Sequence, residues 1–203
     1  FTYRYLPGEE TMFCGIKRLP PGTYLEYDLN NGKHKIKRYW EYRLNKENNR
    51  ISLNDAADHF NTLFEDSVRI RLRSDVEVGS LLSGGIDSSA VASLAAKSRP
   101  EISLFTMSFD EEKYNELPLV KQFLDKNKAR FGSAKHHIKL CSTETLNRLP
   151  DIVRSLEEPI SLGTVLPTDQ VCEMAGKRVK VVLTGEGADE IFAGYRKFLI
   201  EAA

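Results

Sequence analysis

Ser83-Gly84-Gly85-Ile86-Asp87-Ser88-Ser89 is the stretch that decides the fold, because it is a glycine-rich turn set between an apolar strand and a small-residue helix. Val76-Glu77-Val78-Gly79-Ser80-Leu81-Leu82 supplies the strand, and Ser88-Ser89-Ala90-Val91-Ala92-Ser93-Leu94-Ala95-Ala96 supplies the helix behind it. An anion at such a turn meets a helix N-terminus, where backbone N–H groups lack intrahelical partners and the peptide dipoles add partial positive charge. Gly84 and Gly85 remove Cβ atoms that would hold a ligand away from the backbone. Ser83, Ser88 and Ser89 add hydroxyl donors around the same position.

The Walker pattern G-x-x-x-x-G-K-[ST] is not met, since both its glycine spacing and its lysine are missing from this stretch. An acid, Asp87, stands where phosphate oxygens would arrive. That arrangement makes sense if magnesium lies between them, because Mg²⁺ takes one or two carboxylates together with phosphate oxygens. The reading is a pyrophosphate-binding loop; the plain alternative is a strand-to-helix turn capped by Asp87 or Ser88. At these residues the chain resembles the N-type ATP pyrophosphatase superfamily, whose signature is S-G-G-x-D-S. The resemblance implies cleavage of ATP between its α and β phosphates, adenylation of a substrate and release of pyrophosphate.

Composition narrows the setting. Acids and bases balance at 29 each over 203 residues, with no long run of either sign, so no nucleic-acid tail or membrane-surface patch is indicated. No apolar run approaches the roughly 18 residues of a membrane span, and no secretory signal pattern opens the chain. A soluble, cytoplasmic protein is expected. Cys14, Cys141 and Cys172 are odd in number and widely spaced, which reads as reduced structural thiols; with His34, His59, His136 and His137 they form no zinc-ligand spacing.

Residues 1–43 read as β structure. Thr23–Leu29 and Lys33–Trp40 flank Asn30-Asn31-Gly32, a hairpin signal, and Pro20-Pro21-Gly22 reads as a tight turn before them. A β unit this small has little core of its own and belongs to something larger. Residues 44–52 read as a polar linker, after which Ser52 caps an amphipathic helix over 53 to about 73. Beyond the first strand-loop-helix unit, strands are expected at 102–109, 136–140 and 179–183. Helices are expected around 115–129, 143–156 and 167–176, with an irregular connection over 159–167. Such alternation predicts an α/β fold, a doubly wound parallel sheet whose ligands gather beyond the carboxyl ends of the strands.

A second cluster lies at one of those ends: Thr184-Gly185-Glu186-Gly187-Ala188-Asp189-Glu190, then Ile191-Phe192-Ala193-Gly194-Tyr195. Its three acids repel unless a cation or a cationic substrate group neutralises them, and a metal shared by Asp87 and Asp189 would do so. The alternative is a solvated acidic turn.

S-G-G-I-D-S-S followed about a hundred residues later by T-G-E-G-A-D-E-I-F-A-G-Y resembles glutamine-hydrolysing asparagine synthetase. Pro20–Leu25 and Arg38-Tyr39-Trp40 resemble the junction between that family's two domains. The resemblance implies residues 1–43 as the end of a class II glutamine amidotransferase domain and 53–203 as the first part of an ATP-dependent synthetase domain. In the family the glutaminase domain releases ammonia from glutamine, and the ammonia attacks β-aspartyl-AMP made from aspartate and ATP. Residue 1 is Phe, nothing before the hairpin matches the glutaminase nucleophile, and the chain stops at Ala203. It is therefore expected to be a fragment that does not turn over by itself.

By resemblance, Ser83, Gly84, Gly85, Asp87, Ser88 and Ser89 hold the pyrophosphate, and Asp87 and Asp189 approach Mg²⁺. Leu81 or Leu82, Met107, Ser108 and Gly185 border the nucleotide, and Glu186 orients or deprotonates the attacking amine. A homodimer is admitted. The stretch from Tyr114-Asn115-Glu116 to Phe131-Gly132 runs about one helical turn longer than the family usually does. His136 and His137 are expected to point to opposite faces of their strand and carry no catalytic role. Two other readings stand beside this one: an adenylating ligase with another acceptor amine, β-lactam synthetase-like or peptide-modifying, and a nucleotide-binding module without chemistry.

Overall fold

The structure is a computed structural model that describes residues 5–43, 51–158 and 163–195, and its first regular element is a hairpin. Strands β1 (Thr23–Tyr27) and β2 (His34–Arg38) pair antiparallel with Leu25 opposite Ile36. The turn is longer than the two-residue type an Asn-Gly pair favours. Asp28 and Lys33 still share a backbone hydrogen bond, and Leu29–Gly32 form the loop between them. The Asp28 carboxylate holds that loop, accepting from the Asn30 N–H at 2.9 Å and from Asn31 Nδ2 at 2.6 Å. Gly22 closes the base of the hairpin at φ +68°, where a Cβ would stand 2.2 Å from the Trp40 carbonyl oxygen. The two segments that resemble a domain junction thus touch each other there. Both strands are largely exposed, as expected of so small a unit.

The remainder alternates helix and strand. Helix α1 (Leu53–Arg71) starts where Ser52 Oγ accepts the Asp55 N–H at 3.1 Å. It is followed by β3 (Val78–Leu81), α2 (Ile86–Ser98), β4 (Ser103–Phe109), α3 (Leu117–Lys126), α4 (Lys128–Phe131) and β5 (Lys135–Cys141). Then come α5 (Leu149–Leu156), α6 (Val165–Gly176), β6 (Val181–Leu183) and α7 (Ala188–Phe192). The four strands β3 to β6 are parallel, in the order β5-β4-β3-β6. From β3 the chain builds outward through β4 to β5, then returns to the other edge of β3. The order reverses between β3 and β6, and a crevice opens beyond their carboxyl ends at that point.

Period-two alternation divides the core between the two faces of the sheet. Leu82, Leu104 and Leu183 pack with Val68 of α1, Ala92, Ala95 and Ala96 of α2 and Val120 of α3 on one face. Phe105 packs with Val171, Met174 and Ala175 of α6 on the other, where Leu81, Met107 and Val182 join them. The alanines on α2 bring that helix close to the sheet, and each fully buried Leu or Phe contributes about 1.5–3 kcal/mol. Arg18, upstream of the hairpin, forms an ion pair with Glu158 just beyond α5 and so ties the two parts of the chain together.

Several boundaries move. Helix α1 ends at Arg71, α2 begins at Ile86, and the third helical stretch breaks at Asn127 into α3 and α4. The expected helix over 143–156 begins as a 3-10 stretch, Thr143–Arg148. Helix α6 begins two residues early at Val165, with Pro167 in its first turn, where a missing N–H leaves no helical bond unmade. The last strand shortens to three residues, while Val179 joins the core without pairing in the sheet. Residues 44–50 of the expected linker and 159–162 of the expected connection lie outside the described residues.

Candidate functional site

The glycine-rich turn folds into a closed hydroxyl network. Ser88 Oγ accepts the Ser83 N–H at 3.1 Å and lies 2.8 Å from Ser83 Oγ, which in turn accepts the Gly85 N–H at 3.3 Å. Helix α2 starts at Gly85 with no side-chain cap, contrary to a capping role for Asp87 or Ser88, and its first ladder bond runs from the Ser89 N–H to the Gly85 carbonyl at 3.3 Å. The N–H groups of Ile86, Asp87 and Ser88 therefore have no carbonyl behind them in the helix. Asp87 is exposed in the same turn.

Gly185, at the end of β6, presses against that turn. A Cβ on Gly185 would stand 2.7 Å from the Ser88 amide nitrogen, 2.8 Å from the Asp87 carbonyl carbon and 3.0 Å from Asp87 Cβ. Two motifs almost a hundred residues apart thus meet at the switch point, and Asp87, Gly185 and Glu186 line one cavity of about 800 Å³. Its walls include Phe60 and Phe64 of α1, Ile86 of α2 and Phe192 of α7. Phe192 packs edge-on against Phe60, with ring centroids 5.1 Å apart, and fastens α7 to α1.

Helix α7, which the sequence reading did not foresee, arranges the other acids. Gly187 enters it at φ +98° and Ala193 leaves it at φ 54°. The Asp189 carboxylate folds back over Gly194, where a Cβ would fall 1.9 Å from Oδ1, and Asp189 does not line the cavity. Glu190 Oε1 accepts a 2.6 Å hydrogen bond from the Tyr195 hydroxyl, and this bond, with burial and the charges of Glu190, Asp189 and Glu186, pushes the Tyr195 pKa up to about 12. Burial, then the charges of Asp169 and Glu186, raise the Cys172 thiol above its ordinary value.

Leu82, 2% exposed, precedes the turn. Thr106 Oγ1 donates to the Leu82 carbonyl at 2.7 Å and lies 2.8 Å from His136 Nε2. With its one proton committed, the hydroxyl accepts from His136, which therefore carries its proton on Nε2. Burial, aided by the charges of His137 and Lys121, lowers the His136 pKa. His137 points to the opposite face and stacks on Phe105 with centroids 5.2 Å apart, as the strand period requires. Met107 and Ser108 sit at the carboxyl end of β4, on the side of β3 away from Gly185.

One contact has no precursor in the sequence reading. Glu116 Oε2 accepts the Gly84 N–H at 2.9 Å, and a Cβ on Gly84 would stand 3.0 Å from Glu116 Cβ. Beside it, Asn115 Oδ1 accepts both from Ser108 Oγ at 3.2 Å and from the Leu117 N–H at 3.1 Å. Among the described residues no set of three or more His, Cys, Asp or Glu side chains is arranged to hold a metal. Asp87 lines the cavity beside the uncapped start of α2, and one carboxylate there fits Mg²⁺ when phosphate oxygens complete its shell.

The family model described as asparagine synthase matches residues 59–202, well over half of the chain. A Mycobacterium tuberculosis (strain H37Rv) protein provisionally named asparagine synthetase [glutamine-hydrolyzing] is 37% identical over 195 residues, 95% of this chain and 29% of that protein. Asparagine synthetase [glutamine-hydrolyzing] 1 of Bacillus subtilis is 30% identical over 194 residues, 96% of this chain and 30% of its own length. Amidase chyE of Penicillium rubens is 31% identical over 208 residues, 93% and 30% of the respective chains. The chain spans under a third of the length of these curated relatives.

Proposed function

The chain belongs to the asparagine synthase family, and from that premise we propose that it carries the ATP-cleaving half of an amidating ligase that makes asparagine from aspartate. The observation supporting this reading is the contact of Gly185 with the Asp87–Ser88 peptide, which joins an uncapped helix N-terminus to Glu186 within one crevice.

In this reading Ser83, Ser88 and Ser89, with the N–H groups of Ile86, Asp87 and Ser88, receive the β and γ phosphates at the N-terminus of α2, Gly84 and Gly85 shape the turn that admits them, and Leu82, Met107, Ser108 and Gly185 border the nucleoside. A substrate carboxylate oxygen attacks the α phosphorus, the bond to the bridging oxygen breaks, and pyrophosphate leaves. Asp87 and Asp189 would hold Mg²⁺, which would neutralise charge on the leaving group. Glu186 orients ammonia against the acyl carbon and takes up a proton as AMP departs, a task in which its reach matters more than its resting pKa. Residues 1–43 are the end of an amidotransferase domain that supplies the ammonia from glutamine, and residues 53–203 begin the synthetase domain. A cytoplasmic location and a homodimer go with this assignment.

A second reading keeps the adenylation and changes the acceptor amine. The apolar cavity wall formed by Phe60, Phe64, Ile86 and Phe192 beside Glu186 favours it, since aspartate has little to offer such a wall. A module without chemistry is disfavoured, because a decayed copy has no need of both Asp87 and Glu186.

The test uses the whole gene product with Mg-ATP, aspartate and either ammonium or glutamine, quantifying nucleotide products and amide together. AMP and pyrophosphate in step with asparagine support the assignment. AMP and pyrophosphate with another acid or amine transfer support to the second reading, whereas ADP and phosphate overturn both.

A further inference from the structure

The pyrophosphate loop is held from two sides, and only one of them belongs to a recognised motif. On the β6 side, Gly185 backs the Asp87–Ser88 peptide. On the α3 side, Gly84 lies against Glu116 Cβ and against Leu119, whose Cβ would be 3.2 Å from a Cβ on Gly84, and the Gly84 N–H is turned into the Glu116 carboxylate at 2.9 Å. That N–H consequently faces α3 and not the crevice.

We infer that Glu116 is a positioning residue for this loop: by holding the Gly84 N–H it fixes the backbone conformation in which the Ile86, Asp87 and Ser88 amides are presented to phosphate. The inference rests on the proposed function for what the loop binds, but the contact itself does not depend on it. Three features make Glu116 suited to the task. An N–H bonded to a carboxylate is stronger than one bonded to a neutral acceptor. Glu116 occupies the N-cap position of α3, where a negative charge is favoured by the helix dipole. Its neighbour Asn115 is tied to Ser108 at the end of β4 and to the Leu117 N–H, so the backbone carrying Glu116 is itself anchored to the sheet. The loop is thereby referenced to β4 through Glu116 and to β6 through Gly185, and without the first reference Gly84 and Gly85 regain the conformational freedom that glycine brings.

A carboxylate near a phosphate site admits an opposite role, that of a competing anion which ATP must displace, and the two roles differ in sign. The experiment compares E116A and E116Q with the wild type in the full-length protein, by hydrogen–deuterium exchange of the peptide covering residues 83–89 and by steady-state kinetics. We expect E116A to exchange about tenfold faster over this peptide and to raise the KM for Mg-ATP about tenfold, with kcat and the KM of the acid substrate within about twofold. E116Q, which keeps an acceptor oxygen, should restore most of both effects. Unchanged exchange and KM in E116A overturn the inference. Tighter ATP binding in E116Q also overturns it, in favour of competition, and E116Q as impaired as E116A assigns the effect to charge and removes the hydrogen bond from the account. If the wild type makes no AMP and pyrophosphate, the proposed function fails, while the exchange measurement still decides whether Glu116 holds the loop.

Discussion

No side chain fits between Gly185 and Ser88: a Cβ on the glycine would come within 2.7 Å of the Ser88 amide nitrogen, a backbone atom that cannot rotate aside. Gly185→Ala therefore has to separate the end of β6 from the first turn of α2. We expect a loss of about 1–3 kcal/mol in stability, the usual cost of overpacking, with a raised KM for ATP. Urea unfolding and ATP saturation curves on the same preparation check both.

Asp87 is exposed, and the atoms of it that Gly185 approaches, its carbonyl carbon and Cβ, are kept by alanine, so Asp87→Ala should leave the unfolding free energy within the roughly 0.5 kcal/mol typical of surface changes. Mg-ATP use should fall steeply and require more magnesium for half-saturation. Unchanged initial rates over a magnesium titration would remove Asp87 from the metal role.

Glu186 acts, in the proposed mechanism, only after the adenylate exists. Glu186→Ala should retain acid-dependent exchange of pyrophosphate into ATP while amide formation drops by about 10²–10⁴, the range of a lost general base. Equal loss of both half-reactions would count against the amine-orienting assignment.

The hydrogen-bond chain from His136 through Thr106 to the Leu82 carbonyl crosses β5, β4 and β3 just beneath the loop. Thr106→Val keeps the shape and strands a buried carbonyl and a half-buried ring N–H. A cost of about 1–3 kcal/mol follows for each polar atom left buried without a partner. Denaturant titration of T106V beside a T106S control, which keeps the hydroxyl, measures it.

Glu173 on α6 gathers Lys139, Arg148 and Lys177, and these cations hold its carboxyl down to about 2 from an ordinary 4.5. A pKa depressed in the folded state means the contribution is present above the unfolded value and is lost as pH falls towards the folded one. The stability gap between wild type and Glu173→Gln should thus be full at pH 6 and shrink between about pH 4.5 and 2, as acid titrations of the two unfolding midpoints will read.

Local chemistry was legible in the sequence and distant chemistry was not. Ser52 could be read as a cap and Ser83–Ser89 as a strand-to-helix turn because each signal lies within one turn of the element it sets. The parallel direction of the strands followed from their alternation with helices, whereas the order that sets β3 against β6 did not, since alternation alone leaves several orders open. Glu116 was noted only as the start of an unusually long stretch, and its contact with the loop was not legible because its partner is 32 residues away. Asp189 was placed with Asp87 on charge, yet its carboxylate turns to Gly194 through the left-handed residue Ala193, a conformation that no residue type there announced.

The register of β3 also governs how the chain can be made. Val78 pairs with Val181, so on a ribosome one edge of β3 waits while the intervening residues are synthesised, on the order of ten seconds at common elongation rates. Throughout that interval Val78–Leu81 presents unpaired backbone groups to any other nascent strand. The crevice beyond β3 and β6 does not form until β6 docks, and a chain that stalls earlier leaves an adhesive ribbon with that crevice unbuilt.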